Sequence, residues 1–177
     1  GEGFLSELCR RWESVAGPAA QAGLRTVQSR TGLVVSSSGG LGRILGAAYR
    51  VGAGARLGRG DQWQPWIALE DAAAGLLWAI EHDDVHGPVN LTAPEPARNR
   101  DLHRLLSRAG GLPSVAVVPQ LLLDRAGRAG AAGGAGSIGG MLAELLGASQ
   151  RAVPQALLAS GFRFTAPDAA SIWALGT

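Results

Sequence analysis

The sequence predicts an α/β fold with a small helical lobe at its C-terminal end, and three observations lead there. Stretches with apolar residues at helical spacing alternate with short strand-like apolar runs. No segment repeats another. Of 177 residues, 46% are hydrophobic and 17% charged, a globular composition that can build one domain with a sizeable core or two small lobes.

Phe4, Leu5, Leu8, Cys9, Trp12 and Val15 recur at helical spacing with Glu7, Arg10, Arg11 and Glu13 between them, which predicts an amphipathic helix ending near Gly17 and Pro18. Residues 24–35 read as one strand interrupted at Gly32. Glycine-rich sequence follows: Gly39 and Gly40, a short helix over 43–49, and a loop over 52–60. A strand is expected over 66–69. Asp71 then opens a helix carrying Leu76, Leu77, Trp78 and Ile80, an acid at the helix end that favours one. After a turn over 82–88 comes a strand over 89–92. Asn99 suits the N-cap of a helix through Leu102, Leu105 and Leu106. Gly110 and Gly111 stop it, and 114–118 is a further strand. Residues 126–140 are nearly all Ala, Gly, Arg and Ser and read as a flexible insertion. Two short helices close the chain, over 141–146 and 154–160, the latter started by Pro154 and stopped by Gly161.

All 16 basic side chains are arginine, and the net charge is only +2. The arginines are scattered along the chain, so no nucleic-acid surface is indicated. Such an Arg-only, Ala/Gly-rich composition fits a GC-rich bacterial genome. No apolar run is long enough to suggest a membrane span. One cysteine, Cys9, rules out an internal disulfide and fits the cytoplasm; its place on the apolar helix face predicts a buried, inert thiol. The chain opens on Gly1 rather than Met, so an upstream segment is expected.

A literal G-x-G-x-x-G occurs at Gly134, Gly136 and Gly139, but no strand precedes it and no helix receives it, so it is not read as a dinucleotide fingerprint. The 52–60 loop is a better place for an anion: close glycines expose backbone N–H groups, and Arg56 and Arg59 add charge. Against that stands a plain solvated turn. His82, Asp83, Asp84 and His86 share one turn, which reads as polar surface rather than a metal site because a closed site draws ligands from a second element. His103 has no evident partner. No G-x-S-x-G elbow or H-E-x-x-H pair favours a hydrolase. Tryptophans are mostly core residues, although Trp63 and Trp66 sit beside the glycine loop.

Seven blocks fall in a recognisable order. They are Arg30-Thr31-Gly32-Leu33-Val34, the Gly39-Gly40 pair, the 52–60 loop, and Gln62-Trp63-x-x-Trp66-Ile67-x-x-x-Asp71. There follow Gly87-Pro88-Val89-Asn90-Leu91-Thr92-Ala93-Pro94-x-Pro96, Ser149-Gln150-Arg151-x-x-Pro154 and Gly161-Phe162-x-Phe164. Together they resemble the atypical extended short-chain dehydrogenase/reductases, the NAD-dependent epimerase/dehydratase-like "epimerase family" proteins, including their C-terminal domain of unknown function.

The resemblance implies that residues 1–93 are the remaining C-terminal part of a Rossmann-like NAD(P)-binding domain whose N-terminal dinucleotide-binding half is missing. Residues 94–177 would be the family-specific C-terminal domain, forming a small mixed substrate-side lobe. Arg30, Thr31 and Gly32 would lie near the nicotinamide of NAD or NADP, bound only together with the missing half. Arg56, Gln62, Trp63 and Trp66 would line the substrate pocket. The substrate would be a small polar molecule, possibly a nucleotide sugar. If Glu13 matches the glutamate that follows the family's Tyr-x-x-x-Lys pair, Leu5 and Cys9 occupy the two catalytic positions and cannot serve as the usual acid and base. The family's Trp-Ile-His-x-x-Asp-Asp is here Trp66-Ile67-Ala68-Leu69-Glu70-Asp71, without the histidine. Its Gly-Glu-Met is Gly139-Gly140-Met141. The resulting expectation is the substrate-side part of an NAD(P)-dependent epimerase/dehydratase-like oxidoreductase, inactive alone. The alternative is a catalytically silent NADPH-binding or protein-interaction protein.

Overall fold

The computed structural model describes residues 4–36, 38–119, 121–122, 125 and 147–175. The insertion over 126–140, the helix over 141–146 and the Gly134, Gly136 and Gly139 pattern lie outside the described residues. In chain order the elements are α1 (Phe4–Val15), α2 (Gly17–Gln21), β1 (Val27–Thr31), β2 (Leu33–Val35), α3 (Gly40–Arg50), β3 (Ala55–Leu57), β4 (Trp63–Gln64) and β5 (Trp66–Ala68). They continue with α4 (Leu69–Glu81), β6 (Gly87–Leu91), β7 (Ala97–Arg98), α5 (Asn99–Ala109), β8 (Ala116–Val118), α6 (Gln155–Ala159) and α7 (Ala169–Leu175).

The expected strand over 24–35 is two strands with different neighbours. β1 runs parallel to β6, and β2 runs parallel to β5. Gly32 makes the change: its N–H donates to the Leu91 carbonyl at 2.9 Å, whereas the Leu33 N–H donates to the Pro65 carbonyl at 2.7 Å. A Cβ on Gly32 would stand 2.2 Å from the Pro65 oxygen. Only glycine lets the two backbones approach this closely. The 52–60 stretch is not a plain loop either, since β3 within it pairs in parallel with β8. Antiparallel pairing of β4 with β7 sets Trp63 opposite Arg98.

Helix α4 begins at Leu69, earlier than expected, and buries Asp71, Ala72, Gly75 and Ala79 against the sheet. Gly75 permits that contact, because a Cβ there would meet a Leu91 methyl at 2.9 Å. Arg25 closes the far end of the helix, donating to the carbonyls of Ala79 at 2.7 Å and Ile80 at 2.8 Å, which would otherwise lack partners. Asp71 does more than complement the helix dipole. Its buried carboxylate accepts the backbone N–H groups of Thr165 and Ala166, both at 2.8 Å.

Asn99 is the first residue of α5 rather than its cap. Its carboxamide oxygen accepts the Leu57 N–H at 2.9 Å, tying β3 to the helix. Two helices were not expected. One is α2, which Pro18 starts. The other is α7, whose start shows reciprocal capping: Asp168 Oδ1 accepts the Ser171 N–H at 2.8 Å, and Ser171 Oγ accepts the Asp168 N–H at 3.2 Å. The Ser171 N–H and, at 2.9 Å, the Ser171 hydroxyl both donate to the Asp168 carboxylate and hold it below its usual pKa.

Two apolar clusters form the core. One gathers Val35, Tyr49, Trp66, Leu102, Leu106, Ile172 and Trp173; the other gathers Ile67, Val85, Val89, Leu91, Leu157 and Phe162. By contrast, α1 keeps Trp12 and Val15 more than 70% exposed (75% and 77%). Cys9 is exposed as well, contrary to the buried thiol expected, because no described residue covers that helix face. No described helix is long and apolar enough to cross a membrane.

Candidate functional site

Arg30, Thr31 and Gly32 stand together at the carboxyl end of β1, the edge of a parallel sheet at which ligands of open α/β folds bind. Arg30 is not free to swing toward a ligand. Its Nε and Nη2 donate to the two carboxylate oxygens of Glu13 at 2.6 and 2.7 Å, fastening α1 to β1. That bidentate bond holds the Glu13 pKa down and the Arg30 pKa up. Thr31 is exposed and shares a hydrogen bond with the Ser29 hydroxyl at 3.1 Å.

The four expected substrate residues separate into two groups. Gln62 and Trp63 lie on and just before β4, half-buried, with the Gln62 amide donating to the Leu57 carbonyl at 3.1 Å. Arg56 sits on β3 with its Nε buried and unpartnered. Trp66, in contrast, is a core residue at 3% exposure, packed edge-on against Trp173 with ring centroids 5.9 Å apart. It can support the pocket wall from behind but does not present its ring to solvent.

Around Trp63 the structure assembles Arg98 and Arg100, which had no assigned role, with Arg59 and Arg151. Arg98 and Arg151 place their guanidinium carbons 4.5 and 5.3 Å from the Trp63 ring centroid. Asp61 receives Arg100 at 2.5 Å, Arg59 at 3.2 Å and Arg98 at 4.0 Å. The segment bearing Arg151 is stitched to the same tryptophan: the Trp63 N–H donates to Ser149 Oγ at 3.2 Å, and the Gln150 N–H donates to the Trp63 carbonyl at 3.0 Å. The Ser149-Gln150-Arg151 block was visible in the sequence. Its place beside Trp63 depends on a contact across 86 residues that no local pattern reports.

Behind this surface lies a cavity of about 50 Å³, lined by Tyr49, Gln64, Trp66, Asn99 and His103 among others. His103, which had no evident partner in the sequence, meets Tyr49: Oη and Nδ1 are 2.8 Å apart. Burial pushes the Tyr49 hydroxyl up to about 12 and lowers the His103 pKa, so both are neutral near pH 7. The His82 turn is surface, as expected. His82 stacks on Trp78 at 3.5 Å, and Asp83 is almost fully exposed beside Arg25. No group of three or more candidate metal ligands occurs among the described residues.

Residues 137–172 match a domain of unknown function, DUF1731. An epimerase family protein of Mycobacterium tuberculosis is 40% identical over 164 residues, which cover 93% of this chain and 51% of that protein. One of Bacillus subtilis is 33% identical over 167 residues, 94% of this chain and 51% of its own length. The chain thus spans about half the length of the curated relatives it matches. Among solved structures, a nucleoside-diphosphate sugar epimerase from Corynebacterium glutamicum superimposes with a TM-score of 0.72 at 31% identity, covering 99% of this chain and 32% of that one. A human epimerase family protein solved with NADPH gives 0.71 at 27% identity, covering 85% of this chain and 47% of the other.

Proposed function

Since the chain belongs to the epimerase family over the half of those proteins that it spans, we propose that it forms the substrate-side part of an NAD(P)-dependent epimerase/dehydratase-like oxidoreductase. Its substrate is a nucleotide sugar or a similar small polar molecule. Support for the substrate class comes from the Corynebacterium relative, a nucleoside-diphosphate sugar epimerase. The observation that carries the reading is the contact at Gly32. There the expected cofactor end of β1 meets the Pro65 carbonyl, within the same segment as Gln62, Trp63 and Trp66.

The roles follow from chemistry. Thr31 and Gly32 offer one wall to a nicotinamide, with Arg30 anchored by Glu13 to hold that wall in place. Arg56, Gln62 and Trp63 bind and orient the substrate through charge, hydrogen bonding and an aromatic face. A nicotinamide, when bound, supplies hydride transfer. The residues present fit only that one edge of a dinucleotide, because the glycine-rich turn between β2 and α3, with Gly39, Gly40 and Gly42, lacks the G-x-G-x-x-G spacing that cradles a pyrophosphate. No catalytic step is therefore routed through this chain alone. Leu5 and Cys9 at the expected acid/base positions favour the second reading, a silent NADPH-binding or interaction protein.

Saturation-transfer NMR on the chain with UDP-glucose, UDP-N-acetylglucosamine and NADPH tests the first reading. Signal transfer to a nucleotide sugar is expected; no transfer to any of them would sink it. Adding the dinucleotide-binding half of a relative and following NADPH absorbance separates the two readings, since binding without turnover supports the silent protein.

A further inference from the structure

We infer that Tyr49 and His103 form a proton-operated pair that positions the backbone of β3 at Arg56. Neither member of the pair has a part in the proposed function. Tyr49 Oη stands 2.8 Å from His103 Nδ1 and 3.4 Å from the Ala55 carbonyl oxygen. A phenol has one proton to give. While the imidazole is neutral that proton goes to the nearer acceptor, Nδ1, and the Ala55 carbonyl is left at the far limit of a hydrogen bond. Protonation of His103 turns Nδ1 into a donor, so the Tyr49 oxygen must accept and give its own proton elsewhere. The Ala55 carbonyl is the acceptor already within reach. One proton taken by Nδ1 from solvent thus reverses the Tyr49–His103 bond. It also draws the Ala55 carbonyl in by about 0.4 Å, toward an ordinary hydrogen-bond length.

The surroundings transmit this change instead of absorbing it. Tyr49 is only 5% exposed, and its ring lies so close to Gly54 that a Cβ there would overlap it. A Cβ on Gly110, just past α5, would stand 2.5 Å from the Tyr49 carbonyl oxygen. Packed on these two glycines, the ring has little room to swing, whereas its hydroxyl hydrogen can turn. β3 is pinned at its other end: the Leu57 N–H donates to Asn99 Oδ1 at 2.9 Å, and the Leu57 carbonyl accepts the Gln62 amide at 3.1 Å. Ahead of Ala55 stand Gly54 and Gly52, the latter with a φ of 71°. Movement of the Ala55 carbonyl therefore turns the peptide that it shares with the Arg56 N–H. A cavity of about 50 Å³ bordered by Tyr49, Ala55 and His103 gives that turn room.

Charge sets the direction. Burial holds the His103 pKa below 6.5, the Ser114 backbone opposes it, and the positive charge of Arg56 adds to it. Other charges on α3, β7 and α5 are engaged elsewhere: Arg50 with the Gly46 carbonyl, Arg98 and Arg100 with Asp61, and Arg104 with Asp101. Arg43 and Arg108 are exposed. A consequence for ligands rests on the reading of Arg56 as a substrate residue. An anion held there offsets the charge that opposes protonation of His103, so anion and proton favour each other to the same extent.

The test is an NMR titration of the chain from about pH 8 to about pH 5, following the His103 ring nitrogens and the Arg56 amide. At the alkaline end Nδ1 should carry no proton. On acidification the Arg56 amide should shift with the same midpoint as the ring. In Tyr49→Phe the ring should still titrate while the Arg56 amide loses most of its shift, and His103→Gln should abolish it. A proton on Nδ1 at the alkaline end, an Arg56 amide indifferent to pH, or a full shift kept in Tyr49→Phe overturns the pair. The first two readouts use the parent chain, so they decide even if a variant fails to fold. UDP-glucose, whose diphosphate diester keeps its charge over this range, supplies a second arm. Isothermal titration should show about fivefold tighter binding at the acid end, and His103→Gln should lose that gain. Binding without the gain overturns the link to Arg56. Failure to bind at any pH sinks the substrate reading, and the NMR titration still decides the pair.

Discussion

On one side of Gly32 the chain is packed, and on the other it is bare. β5 lies under α7, where Trp66 and Trp173 are 3% exposed and Ile172 only 1%. α1 and the segment leading into β1 leave Trp12, Val15 and Leu24 mostly in solvent. Both regions show the same apolar periodicity in sequence, yet only one is covered by described residues. Hydrophobic spacing identifies the face that an element wants to bury; it does not say what will cover that face. The contrast extends to α4, whose inner residues touch the sheet while Leu76, Leu77 and Ile80 on its other flank are 45–69% exposed.

Substitutions on the two sides should differ by several kcal/mol. Trp173→Ala empties a core position and should cost about 3–5 kcal/mol in urea unfolding; a cost below about 1 kcal/mol would mean that the packed side is no better defended than the bare one. Gly32→Ala strikes the boundary itself. Its methyl must displace the Pro65 carbonyl, and a loss of about 1–3 kcal/mol is expected. Unchanged stability there would show that the β1 and β5 backbones can part freely.

The packed side also carries a pH signature. His103 is neutral in the fold, with its pKa lowered below 6.5 chiefly by burial. The unfolded chain therefore takes up the proton more readily. Stability from this group is complete above about pH 6.5 and falls as the pH drops below that value through the lowered folded pKa. His103→Gln should flatten the unfolding profile in that window, and an unaltered slope would remove His103 as its source. The smallest effect belongs to the bare side: Trp12→Ala should change stability by no more than about 0.5 kcal/mol. A larger loss would mean that α1 is covered after all.

Most of the element order was legible in the sequence. Helices α1, α4 and α5 carry periodic apolar residues, and glycine or proline ends several elements where expected. Helix α7 went unread: Asp168 followed by Ser171 is a capping pattern, but the short apolar run after it gives little periodicity. What lay beyond the sequence was pairing. Nothing local says that Leu33 changes neighbour after Gly32, that Arg56 sits on a strand beside β8, or that Trp63 faces Arg98. The site divides along the same line. Gln62 and Trp63 were proposed from their motif, Arg98 and Arg151 needed the fold to bring them beside Trp63, and Trp66 was drawn inward because an aromatic beside β2 is worth more in the core than at a rim.

The Asp71 clasp has a consequence for how the molecule comes into being. Its partners, Thr165 and Ala166, lie 94 and 95 residues further along the chain. During synthesis α4 is made long before anything can satisfy that carboxylate, which stays hydrated until Thr165 and Ala166 arrive. Closing so long a loop adds little entropy beyond that of a shorter one, so the delay is one of order rather than of affinity. The sheet can form first, and the segment carrying Thr165 and Ala166 then seals it by enclosing the Asp71 carboxylate. A nascent chain halted before residue 165 would hold its sheet without that seal.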